Sequence, residues 1–413
     1  MTDYCASHEL LTLPQALAVV RHVVEPIMEE EDCSCGRALG RVLRRPFTAP
    51  VDLPLFDQAA MDGYALRRSD ITSEPPYRLR VVGTVRAGQV WKTPLQPGEC
   101  VRIFTGAALP ESADSVVMQE HVERDGEDIV LANATRSYDH IRRAGEDIAR
   151  GADLFRMPKL LRAIDVSLLA ASGVERVPVT RQLRIACMTT GDELAVPGRP
   201  LPPGKIYDSN RPLLRGLLTQ PAYRVTDLGN VGDDRERLRE VLRKATGDHD
   251  VIVTTGGASH GDYDLMPPLL AELGEIYFWQ IAVKPGKPLL FGRIGKTYVF
   301  ALPGNPLAVM VAMHHIVIPA LRRLCDLPIE PPLQLAATSL DRLKKSPGRL
   351  EFQQGVLSWQ DDGYIVRSAG GQGSHQLGSA SRANAYIVLP AECRGIAPGE
   401  TVIVEPFCAF ETV

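Results

Sequence analysis

Several segments of this chain place acids, ammonium groups and glycines where an anionic ligand can be held. The run VIVTTGGASHGDYD, residues 251–264, puts Gly256 and Gly257 at the end of an apolar strand, Ser259 in the loop behind them and Asp264 at the expected start of a helix. Glycine has no Cβ, so successive amide N–H groups there can turn toward a phosphate at the carboxyl edge of a parallel sheet. TTGDEL, residues 189–194, and GKIYDSN, residues 204–210, open on the same edge. Glu193, Asp208, Asp233 and Asp264 can therefore converge on a hard divalent cation such as magnesium. Each acid can equally cap a helix, and Asp233, with Glu236 three residues later, has the pattern of a capping box.

Cations come from AVKPGKP, residues 282–288, where prolines stiffen the turn that carries Lys284 and Lys287. Two fixed ammonium groups suit a dianion. LPGNP, residues 302–306, adds a backbone-rich wall with Pro303 and Pro306. Further upstream, DQAAMDGYAL (57–66) and RIFTGAALP (102–110) expose Asp62 and Thr105 at glycine-containing turns. RRAGEDI (142–148) sets Arg142 and Arg143 beside Glu146 and Asp147, which in isolation reads as a solvated charge cluster. His314 and His315 are adjacent on a helix and diverge by about 100°, so packing suits them better than joint metal ligation.

The elements that must position these residues fall into four regions. Thr12 and Pro14 open a short amphipathic helix carrying Leu13, Leu17, Val20 and Val24. Short β-rich runs with turn signals follow, and helical periodicity returns over residues 159–173, a segment expected to pack on the first helix. LRIACM, VIVTT and YVFAL are continuous apolar runs separated by helical patterns, the signature of a parallel α/β sheet. Beyond the proline-rich residues 329–335, short alternating runs predict a small β-barrel or sandwich. The reading divides the chain into a discontinuous helical domain (1–40 and 149–180), a β-rich insertion (41–148), an α/β domain (181–326) and a C-terminal β-barrel (327–413).

Composition narrows the functional classes. At 413 residues the chain needs several cores. A net charge of -4 gives no bulk field for nucleic acid or anionic lipid, and no apolar run reaches the roughly 20 residues of a membrane helix. The eight cysteines lack the paired spacing of a zinc site or disulfide framework, and MTDYCASHEL lacks the pattern of a signal peptide, so a cytoplasmic location is expected.

Taken in order, MDGYA, FTGA, RRAGEDI, TTGDEL, IYDSN, GGASHGDYD, KPGKP, LPGNP, PGRLEF and QGSH make the chain resemble the molybdenum insertases, the MoeA family that includes the E domain of gephyrin. The resemblance covers nearly the whole chain. It implies an elongated homodimer of four-domain subunits, with a MogA-like α/β molybdopterin-binding domain and a small helical dimerisation domain. It implies magnesium-assisted insertion of molybdate into adenylylated molybdopterin, with release of AMP and the molybdenum cofactor, which would pass to molybdoenzymes. Asp62, Thr105, Asp147, Glu193, Asp233 and Asp264 would serve the catalytic cleft, Asp233 and Asp264 holding magnesium. Gly256, Gly257, Ser259, Asp208, Pro303 and Pro306 would bind substrate, and Lys284, Lys287, Arg349 and Ser374 would form the molybdate pocket. Gln280, His260 and Ala308 depart from the family pattern at positions where lysine, an aliphatic residue and serine are common. A molybdopterin adenylyltransferase acting one step earlier, or a non-catalytic molybdopterin carrier or scaffold, are the competing readings.

Overall fold

A computed structural model describes residues 10–71, 74–134, 136, 139–257, 264–361, 363–373 and 375–408. The site is organised by a six-stranded sheet whose strands Tyr223–Asn230, Leu183–Thr189, Val251–Thr255 and Thr297–Leu302 run parallel, with Leu290–Ile294 and Glu275–Trp279 antiparallel at one edge. These runs are apolar throughout because both faces are covered: Ile185, Val253 and Phe300 point to one core, Ala186, Ile252 and Val299 to the other.

The helix Arg235–Asp248 packs Leu238, Leu242 and Ala245 on the second of these cores, as its spacing predicts. Its cap differs from the sequence expectation. Asp234, not Asp233, accepts the N–H of Arg237 at 2.8 Å, while the Asp233 carboxylate accepts from Asp192 N. Replacing Asp234 with alanine is expected to cost about 1 kcal/mol in urea unfolding.

The first helix, Leu13–Val23, is capped by Thr12 as expected, and Gln15 completes a capping box with it. It does not pack on Ala163–Ala171. Ala16, Val20 and Val24 join the α/β core beside Leu321, and Ala282 N–H reaches Leu11 O at 2.7 Å. The segments around residues 30 and 176 do meet, but as strands: Glu30–Ser34 pairs with Arg176–Thr180, and Val42–Leu43 with Lys159–Leu160. Helix Ala163–Ala171 covers this small sheet through Leu169. The residues between form a curled six-stranded sheet of their own.

At the C-terminus, strands Leu335–Ser339, Gly363–Ser368, Leu350–Gln360, Ala385–Leu389 and Thr401–Pro406 pair in a ring, which closes a five-stranded barrel. A closed ring leaves no edge between its strands for a foreign chain to pair with. The barrel is tied to the α/β domain because Val283–Lys284 pairs in parallel with Leu350 and Glu351.

The helical stretch Pro306–Leu324 is long and apolar enough to cross a membrane by length and composition, a run the sequence reading did not count. It is mostly buried, as a core helix between the two domains. His314 and His315 sit on it in a π-helical turn and are buried, as expected of packing residues.

Candidate functional site

At the carboxyl edge of the parallel sheet, Gly256 follows Val251–Thr255 with φ 91°, and a Cβ there would lie 2.5 Å from Thr190 O and 2.7 Å from Thr190 Oγ1. Only glycine fits, so backbone is brought to the surface of this edge. Asp192 and Asp233 bind each other's backbone: each N–H donates to the other's carboxylate at 3.2 Å. Both are exposed and line a cavity of about 410 Å³ with Asn230, Gly232, Asp234 and Arg237. Asp192 joins the acids expected at this edge, and its place in TTGDEL beside Glu193 is a usable sequence signal for it. The Glu193 side chain folds back over Gly191.

Asp208 is not an open ligand. It is buried, with Oδ2 accepting from Thr189 Oγ1 at 2.7 Å and Oδ1 from Arg211 N at 3.0 Å. It fixes the start of helix Asn210–Leu217 beneath the edge, so the expected convergence of four acids on one ion is not found. Asp264 precedes helix Met266–Leu273 by two residues rather than starting it. Among the described residues, no group of three His, Cys, Asp or Glu is placed to hold a metal. Ser259, Ser374 and His260 lie outside the described residues.

A second cavity, of about 400 Å³, lies on the seam between the α/β domain and the barrel. Lys284, Lys287, Pro303, Asn305 and Ala308 form its α/β wall; Arg349, Glu351, Phe352, Gln372 and Gly373 form the barrel wall. Gly286, at φ 115°, makes the turn between the lysines. Arg349 Nη1 donates to Val283 O at 3.4 Å, and Lys284 Nζ lies 3.1 Å from Glu351 Oε1. The seam thus gathers the expected cations Lys284, Lys287 and Arg349 with Pro303, while Pro306 heads the helix Pro306–Ala312 behind it. Glu351 and Phe352 lie within PGRLEF and Asn305 within LPGNP, but sequence alone does not mark them as lining residues. Gln280, which stands where the family often has a lysine, does not line this cavity; it is buried, with φ 78°.

The β-rich domain brings its three motif loops together. Ala59 N donates to Ala107 O at 3.0 Å, Ala60 N to His140 O at 2.8 Å, and Gln58–Ala59 pairs with Ile141–Arg142. Thr105 N and Oγ1 donate to Asp62 Oδ1 at 2.8 and 2.7 Å. These two hydrogen bonds, backbone first, with the Arg102 charge nearby, hold the Asp62 carboxyl below its usual range. Asp147 is exposed on the adjoining loop, its N–H bound to Leu53 O at 3.1 Å. Asp62, Thr105 and Asp147 line neither of the two cavities above. A further cavity of about 660 Å³ on this domain, lined by Val117, His121 and Val130, contains none of the sequence-selected residues.

A parallel α/β sheet joined to a closed barrel across a seam that carries Lys284, Lys287 and Arg349 defines a multidomain protein with a cationic cleft between two of its domains. Residues 11–173 match the MoeA N-terminal region (domains I and II), 186–323 a probable molybdopterin binding domain, and 336–407 the MoeA C-terminal region (domain IV). The chain belongs to the MoeA family. It is 35% identical to the molybdopterin molybdenumtransferase of Haemophilus influenzae, over 96% of this chain and 99% of that one. The protein of the same name from Nostoc sp. is 35% identical over 89% of this chain and 86% of its own. A crystal structure of the molybdopterin biosynthesis moeA protein from Pyrococcus horikoshii OT3 superposes with a TM-score of 0.81 at 29% identity, covering 96% of this chain and 100% of that one.

Proposed function

We propose that this chain performs the reaction for which its relatives are named, molybdopterin molybdenum transfer, by inserting molybdate into adenylylated molybdopterin with release of AMP. The observation that carries this reading is the seam cavity, where Lys284, Lys287 and Arg349 from two domains surround a space of about 400 Å³. Ammonium and guanidinium groups are donors only, and three of them suit a tetrahedral dianion. The half-buried turn at Gly256 and Gly257 lets backbone approach the phosphates of the second substrate, although the Gly256 N–H itself is donated to Leu302 O at 3.1 Å.

Asp192, Asp233 and Asp264 offer hard oxygen donors at that edge. Magnesium takes one or two carboxylates and completes its shell with phosphate and water, and the exposed pair Asp192 and Asp233 supplies that number. When bound there, the ion would neutralise phosphate charge during departure of AMP. Asp233 and Asp264 are the residues assigned to it.

The rim of Asp62, Thr105 and Asp147 also exposes Leu55, Phe56 and Met61, and this mix of apolar and acidic groups supports a second copy of the chain as its partner. The homodimer, working in the cytoplasm, would then complete the cleft across subunits. A carrier that binds molybdopterin without turnover is separated from the insertase by one assay. AMP release from adenylylated molybdopterin is measured with magnesium, with and without molybdate, in the parent and Asp264→Asn. Release that requires molybdate and falls in the variant is expected; ligand binding without release would remove the insertase reading.

A further inference from the structure

The seam cavity contains a carboxylate that an anion pocket does not need for affinity. Glu351 is 4% exposed and lines the cavity among three cations. Its two donors both land on one oxygen: Lys284 Nζ at 3.1 Å and Gln353 Nε2 at 3.0 Å reach Oε1. Among the described residues no hydrogen bond to Oε2 is formed. Gln353 is in turn held by Lys344 O at 2.8 Å, and the Glu351 backbone pairs with Lys284 across the domain seam, so the carboxylate is fixed in place. Among the described lining residues Glu351 is the only carboxylate. Lys284, Lys287 and Arg349 donate, and Gln372 spends its amide oxygen on Gln354 N at 2.7 Å.

A negative charge here opposes a dianion, so a purpose beyond binding is called for. Resting on the insertase reading, we propose that Glu351 is a catalytic residue that carries protons from the dithiol of molybdopterin to an oxygen of molybdate. The exchange balances as one molybdate and one dithiol giving a trioxo-molybdenum dithiolene and one water. Two S–H bonds break and two Mo–S bonds form; one Mo–O bond breaks, and its oxygen takes both protons and leaves as water. Molybdenum keeps its oxidation state, and no other reactant is needed. Oε2 accepts each thiol proton as the sulfur attacks and returns it to the departing oxygen, while Lys284 fixes the carboxylate through Oε1. General acid–base transfer of this kind requires a group within hydrogen-bond reach of both partners.

The test measures molybdenum cofactor formation, by reconstitution of a cofactor-free molybdoenzyme, against molybdate concentration and pH in the parent, Glu351→Gln and Glu351→Asp. A parent that forms no cofactor would sink the insertase reading itself, and this proposal with it. With an active parent, Glu351→Gln is expected to lower kcat by about 100-fold or more, with an unchanged or lower KM for molybdate. A kcat within about threefold of the parent, or a loss explained by weakened molybdate binding alone, would overturn the proposal and leave Glu351 as a brace for Lys284. Glu351→Asp keeps an acid at the site and is expected to retain turnover with a displaced pH profile. If that profile is unchanged the proposal is wrong, whether or not the glutamine variant folds.

Discussion

Arg349→Ala is expected to weaken molybdate binding by about 100-fold, read by isothermal titration at fixed ionic strength, because a charge-assisted contact in a shielded site contributes about 1.5–3 kcal/mol. The guanidinium enters the cavity from the barrel, whereas both lysines enter from the α/β domain. Its removal leaves the cations on one side only, so a tetrahedral anion would lose the donor that faces them. Among the described residues the side chain makes one long hydrogen bond, to Val283 O at 3.4 Å, so the fold should tolerate the change. Arg349→Lys restores charge but not the planar fork, and should recover only part of the loss. Equal affinity in the parent and the alanine variant would place the oxyanion outside the seam.

The sequence already points to this seam through particular residues. Proline-flanked lysines in AVKPGKP can be read as a site because fixed ammonium groups between strands are unusual on a surface. The apolar runs LRIACM, VIVTT and YVFAL can be read as parallel strands because both their faces are buried. Thr12 and Pro14 mark a helix start whose capping box is formed. Other features depend on distant partners. Asp208 looks like any loop acid until Thr189 and Arg211 are seen to occupy both its oxygens. Asp233 and Asp234 differ as caps by one residue, and Asp233 is engaged instead with Asp192 across the edge. Glu351 gains its meaning only from a strand pairing that crosses two domains, and the burial of Gln280 follows from packing that its place in the sequence does not state. The docking of the first helix on the α/β domain rather than on Ala163–Ala171 follows from which apolar faces are available, which periodicity does not state.

The contact beneath the seam predicts the largest change in stability. His315 Nε2 lies 2.8 Å from Glu405 Oε2, and its Nδ1 donates to Val311 O at 3.0 Å, with both side chains almost fully buried. Gln334 Nε2 donates to Glu405 Oε1 at 2.9 Å, and Phe352, which lines the cavity, packs on the His315 ring at 4.2 Å between centroids. Removing one member leaves the other polar group in an apolar interface, so His315→Ala should cost about 3–5 kcal/mol in urea unfolding. Replacing both, as His315→Leu with Glu405→Met, should recover much of that loss, because the desolvation of the pair disappears with it. Similar stabilities for the single and double variants would show that cavity formation, not the pair, sets the cost. The neighbouring His314 adds a pH signature: burial, reinforced by His315, pushes it down from 6.5 to about 3. The unfolded chain binds that proton first, so the stability His314 contributes is complete above about pH 6.5 and is lost as pH falls toward 3. Between pH 6.5 and 5 this amounts to about 1.5 kcal/mol. His314→Gln should flatten that part of the acid limb, and an unchanged slope would assign the acid sensitivity to other groups.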